Sequence, residues 1–137
     1  MEKHYRLTDT EFEKNFKNCD FDVTMFSHEA HLRLAWIHID SYGLKTAEEN
    51  VVEQLKNYTK FVGAEDKFNL TLTLAAVKAV YHFYLKYRGS NFTDFIENSP
   101  ELKRDFKSLM SSHYSFDIFK SQHAKESFVA PDLQPFD

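Results

Sequence analysis

The sequence predicts an all-α fold, and three observations carry that prediction. Apolar residues recur at helical spacing along most of the chain, and start and stop signals bracket those runs. No alternation long enough for a strand appears, since Thr71-Leu72-Thr73-Leu74 merges into a longer helical run. The 137 residues suggest one domain over 1–137. Phe 14, Tyr 7 and Trp 1 supply the apolar bulk for its core. The expected architecture is a single-domain bundle of about six to seven helices.

Thr8 with Glu11 makes a capping box for a helix over roughly 9–18, with Leu7 placed to staple against Phe12. Ser27 caps a second helix over roughly 28–42, and Gly43 supplies its stop. Thr46 and Glu49 repeat the capping box before a third helix over roughly 47–62, striped by Val51, Leu55, Tyr58 and Val62 and followed by Gly63. Asn69 caps a fourth over roughly 70–88, apolar on most sides and closed by Gly89. Shorter helices are expected over roughly 91–98, 100–112 and 122–128, the middle one opened by Ser99-Pro100. The tail 130–137 is extended by Pro131 and Pro135, and Leu133 and Phe136 suggest that it docks.

Composition removes several functional classes. Lys plus Arg total 17 against 21 Asp plus Glu, a net charge of −4, which argues against a nucleic-acid binder. Apolar runs fall far short of the roughly 18 residues of a membrane span, and no basic amphipathic stretch suggests a membrane surface. Met1 to Arg6 has no apolar core, so no secretory signal is expected, and the single Cys19 fits a reducing, cytoplasmic compartment. Cys19 stands near Asp20 and Asp22, which disfavour a thiolate nucleophile. Three separated glycines make no phosphate loop, and no Gly-x-Ser-x-Gly elbow is present.

The histidines carry the functional signal. On a helical wheel, Glu29, Arg33 and Asp40 fall together and predict a solvent face for the second helix, whereas His28, His31 and His38 fall opposite and are expected inward. His28 and His31 are an i, i+3 pair, close enough for both rings to reach one metal ion. His38 lies two turns below and is expected in the core or behind the site. His28-Glu29-Ala30-His31 is one residue short of the zinc-protease spacing. His113, beside Tyr114 and Ser115, is the candidate third ligand, with Asn69, Thr71, His38 and Tyr114 as pocket candidates. His82, between Lys78 and Lys86, reads as a surface residue, and His4 and His123 lie in polar, exposed-looking stretches.

Phe26-Ser27-His28-Glu29-Ala30-His31-Leu32-Arg33-Leu34-Ala35, Thr71-Leu72-Thr73, His113-Tyr114-Ser115 and Phe128-Val129-Ala130-Pro131-Asp132-Leu133 together resemble a family of small all-helical bacterial proteins. In that pattern a histidine often precedes Thr-x-Thr, where this chain has Phe68-Asn69. The resemblance implies a shared all-α fold and a shared pocket, and no particular activity. The leading expectation is a pocket in which His28, His31 and His113 bind zinc, iron, copper or nickel. The alternatives are a metal-free pocket for a small organic molecule, and an interaction module whose histidines are hydrogen-bonded core groups.

Overall fold

The computed structural model describes residues 1–136, which contain eight α-helices and three short 3-10 turns, with no strand among the described residues. The all-α expectation holds. Within the expected single domain the chain divides into two compact units, Met1–Phe68 and Asn69–Asp137.

The first unit opens with a 3-10 turn, Lys3–Arg6, and continues through α1 (Asp9–Lys17), α2 (His28–Tyr42) and α3 (Leu44–Phe61). The capping box of α1 forms as predicted: Glu11 N–H donates to Thr8 Oγ1, and Thr8 N–H donates to Glu11 Oε1. The third helix departs from expectation. Gly43, at φ +85°, both ends α2 and precedes α3, so Thr46 and Glu49 lie inside the helix and form no capping box. One residue suffices because glycine adopts that dihedral without a Cβ penalty. The core is aromatic: Phe12 and Phe16 are fully buried, Phe12 meets Phe21 at 4.7 Å, and Phe16 meets Tyr58 at 4.7 Å. The Tyr58 hydroxyl donates to the Phe21 carbonyl at 2.8 Å, which satisfies its polar end inside the cluster.

The second unit holds α4 (Leu70–Lys86), α5 (Phe92–Glu97), α6 (Pro100–Arg104), α7 (Phe106–His113) and α8 (Gln122–Glu126). The single helix expected over 100–112 is two, broken where Asp105 leaves helical dihedrals (φ −124°, ψ 30°). Pro100 stands in the first turn of α6 as expected, but the Ser99 side chain makes no cap. Asn69 caps α4 by accepting from Leu72 N–H at 2.9 Å.

Gly89 is the tightest point of this unit. A Cβ there would lie 2.6 Å from Phe95 N and 2.9 Å from Phe95 Cα, and φ is +80°. Backbone cannot yield as a side-chain tip can. Gly89→Ala is expected to lower stability by about 2 kcal/mol or more, read from the urea midpoint, while the same change at the uncrowded Gly63 costs less.

The segment after α8 is tied down along its length. Thr71 Oγ1 donates to Ser127 O at 2.8 Å and accepts from Val129 N–H at 3.0 Å. Tyr114 OH donates to Val129 O, Ser115 N–H donates to Asp132, and Leu133 N–H donates to His113 O. Phe136 is buried and stacks on His113 at 4.0 Å, while Leu133 stays exposed. The docking expected of the tail therefore holds for Phe136 and fails for Leu133.

Candidate functional site

The start of α2 sets the chemistry of His31. Ser27 is the N-cap, its hydroxyl accepting from Ala30 N–H at 3.1 Å and donating to Glu2 Oε1. Its carbonyl accepts from His31 N–H in the helix and again from His31 Nδ1 at 2.9 Å. A carbonyl can only accept, so Nδ1 carries the hydrogen and, in the neutral ring, Nε2 is a lone pair. Phe26 stacks on the same imidazole at 3.7 Å and fixes its plane. Among the described residues Nε2 has no partner.

Burial pushes the His31 pKa down to about 4, the Ser27 carbonyl opposes that, and the like charge of His28 adds to it. The residue is nonetheless exposed. Water at the open edge works against the full depression, and the crowding sets its direction. At neutral pH the ring is uncharged.

Helix α2 is buried on most sides, Leu32, Leu34, Ala35 and Ile39 included, and the wheel errs on two points. Glu29 and Arg33, expected in solvent, are both 4% exposed, whereas His28 and His31, expected inward, are exposed. Of the three histidines, His38 is buried as expected. The reason lies 24 to 29 residues upstream. His4, fully buried rather than exposed, places Nε2 at 2.9 Å from Glu29 Oε2, and Arg33 donates to the His4 and Leu7 carbonyls at 2.7 and 2.8 Å and to Asp9 at 2.9 Å. With these partners the charged stripe becomes an interior one.

Glu2, His4 and Glu29 bring three potential ligand atoms within 4.8 Å of one another, a grouping that the sequence reading missed. The hydrogen bonding around His4 works against a cation there. Arg33 Nη1 lies 3.3 Å from His4 Nδ1, and a guanidinium offers only hydrogens, so the lone pair belongs on Nδ1 and the proton on Nε2, facing Glu29. A metal on Nε2 would move that proton against the guanidinium. Burial, the largest influence, and Arg33 lower the His4 pKa, while Glu29 raises it. The cluster is a hydrogen-bonded clasp.

His38 is fully buried in α2, with Nδ1 at 3.3 Å from Asn50 Nδ2, and its Nε2 has no partner. Burial lowers its pKa. The remaining candidates belong to the second unit. Asn69 is committed at both ends, donating to Ile118 O at 2.8 Å and capping α4. Thr71 and Tyr114 hold the C-terminal segment, and burial pushes the Tyr114 phenol up to about 12, with Asp132 adding to the shift. His113 donates through Nδ1 to Gln134 O at 2.7 Å, which again leaves Nε2 as the lone pair. His113, expected as the third metal ligand, and Asn69, Thr71 and Tyr114, expected in a pocket, are hydrogen-bonded to backbone carbonyls of the second unit. His82 is half-buried, where a surface position was expected.

Neither family models, curated proteins nor solved structures give a match to this chain. The functional reading therefore stands on His31 and its surroundings.

Proposed function

We propose that this protein binds a first-row transition metal ion through His28 and His31 at the start of α2. The observation that carries the reading is the His31 imidazole, its Nδ1–H held by the Ser27 carbonyl and its Nε2 open as a neutral lone pair. Metal-ligating histidines have this arrangement, the outer hydrogen bond fixing the tautomer and aiming the ligand nitrogen. His28, one turn before, is close enough to lower the His31 pKa by its charge. Imidazole donors suit zinc, iron, copper or nickel, and two protein ligands leave positions for water or substrate.

The same pKa weighs against a metal-free acid–base role for His31. A proton shuttle works best with a pKa near the working pH, and the crowding around this ring moves it below that range. Such a ring stays available to a metal over the whole neutral range.

The test is the elemental content of untagged protein purified without chelator, alongside His31→Ala. Near-stoichiometric zinc, iron, copper or nickel in the parent, lost in His31→Ala with helical content unchanged, is the expected outcome. Metal-free parent protein even after refolding with each ion, or undiminished metal in His31→Ala, overturns the reading.

A further inference from the structure

Two buried polar atoms of α2 and α3 are unpaired, and they are of opposite sense. His38 is fully buried, and Asn50 Nδ2 lies 3.3 Å from its Nδ1. An amide nitrogen donates, so Nδ1 accepts and Nε2 carries the ring hydrogen. Gln54 buries its Oε1, an atom that can only accept. Neither His38 Nε2 nor Gln54 Oε1 has a hydrogen-bond partner among the described residues. A donor and an acceptor are thus enclosed without bonding each other.

The two helices bring these side chains toward one level. Phe26, just before α2, meets Tyr58 near the end of α3 at 5.3 Å, and His38 meets Asn50 nearer the turn. The helices therefore run antiparallel, side by side. Gln54 stands one turn beyond Asn50 on the same side of α3. Helical side chains lean toward the start of their own helix. In an antiparallel pair, His38 then leans toward the level of Gln54, and Gln54 leans back toward that of His38.

Buried polar groups are almost always paired, with protein or with ordered water. An occupant here must accept from an N–H and donate to an amide oxygen. A cation is refused by the first and an anion by the second. Both atoms are shut off from solvent, which restricts the occupant to the smallest molecule of that character. We infer that α2 and α3 bind a structural water molecule between them, accepting from His38 Nε2–H and donating to Gln54 Oε1. Internal waters make about two to four such bonds. Glu13 is the competing acceptor, since its charge reaches His38, but it already accepts from the Tyr42 hydroxyl.

The experiment observes the full chain by NMR. In the parent protein the proton on His38 Nε2 is expected to show a nuclear Overhauser effect to water, of the sign that marks residence longer than molecular tumbling. Water deuteron relaxation dispersion then counts the long-lived waters in parent and variants. Gln54→Leu should lose about one, and His38→Phe the same. The double variant should lose no more than either alone, because the water is shared. Glu13→Ala should keep it. A ring hydrogen on Nδ1, no water signal at Nε2, an undiminished count in Gln54→Leu, an additive loss in the double variant, or a loss in Glu13→Ala would each overturn the inference. The parent measurement decides even where a variant does not fold, and no readout depends on whether His31 binds metal.

Discussion

Replacing Arg33 by alanine is expected to destabilise the protein by about 3–5 kcal/mol, the usual cost of removing one member of a buried ionic cluster. Arg33 is 4% exposed, and its guanidinium lies over the Phe12 ring at 4.9 Å. It donates to the carbonyls of His4 and Leu7 at 2.7 and 2.8 Å. Without it those carbonyls lose a charged donor, and the buried His4 Nδ1 loses the group beside it. The Asp9 pair adds little, because Asp9 is half exposed. Arg33→Lys should recover only part of the loss, since an ammonium cannot reach the same forked set of acceptors. Since whole domains are stable by only about 5–15 kcal/mol, Arg33→Ala should shift the denaturation midpoint far more than Arg104→Ala at an exposed site. Equal shifts for the two would refute the clasp.

Acid should unfold the protein well above the carboxylate range. His4 and His38 are fully buried and their pKa values are lowered by burial, so the unfolded chain binds protons that the folded chain refuses. Stability from this source is complete above the ordinary histidine value near 6.5 and is lost as pH falls below it, toward the folded values. Each such histidine steepens the loss by up to about 1.4 kcal/mol per pH unit, and two together raise the unfolding constant by up to about a hundredfold per unit. His31, shifted the same way but exposed, adds to the slope. Asp22, Asp94 and Asp132, all lowered by hydrogen bonds, contribute only below their unfolded values near 3.8. Urea midpoints at pH 8, 6 and 5 test this: a clear fall from 8 to 5 is expected, shallower by about one proton in His38→Gln. A flat profile would mean that these rings take up protons without cost.

Local signals were legible because they depend on neighbours in sequence. The Thr8–Glu11 box and the caps by Ser27 and Asn69 act over three residues, and the stop at Gly43 depends on one dihedral. The burial of the charged side of α2 was illegible for the opposite reason. A wheel sends charges outward unless partners are known, and those of Glu29 and Arg33 come from a 3-10 turn near the N-terminus that has no periodicity of its own. His4 itself looked exposed because its neighbours in sequence are polar. The spacing of His31 to His28 was legible, but the Ser27 carbonyl that fixes its tautomer was not. His113, Tyr114 and Thr71 stood out in the sequence, yet a hydroxyl or imidazole looks the same there whether it serves a ligand or a backbone carbonyl.

The fastening of the C-terminal segment has a kinetic side. Thr71 meets Ser127 and Val129 across 56 and 58 positions, far beyond the three- or four-residue reach of the helices around it. Closing a loop of that length costs about 3.6 kcal/mol in chain entropy beyond a fixed constant, against contacts of about 1 kcal/mol each. No single fastening can hold the segment, so they form together or not at all. The segment should arrive after the helices it crosses and be the first part of its unit to let go. Amides of Ser115, Val129 and Leu133 would then exchange hydrogen as one group, ahead of those within α4.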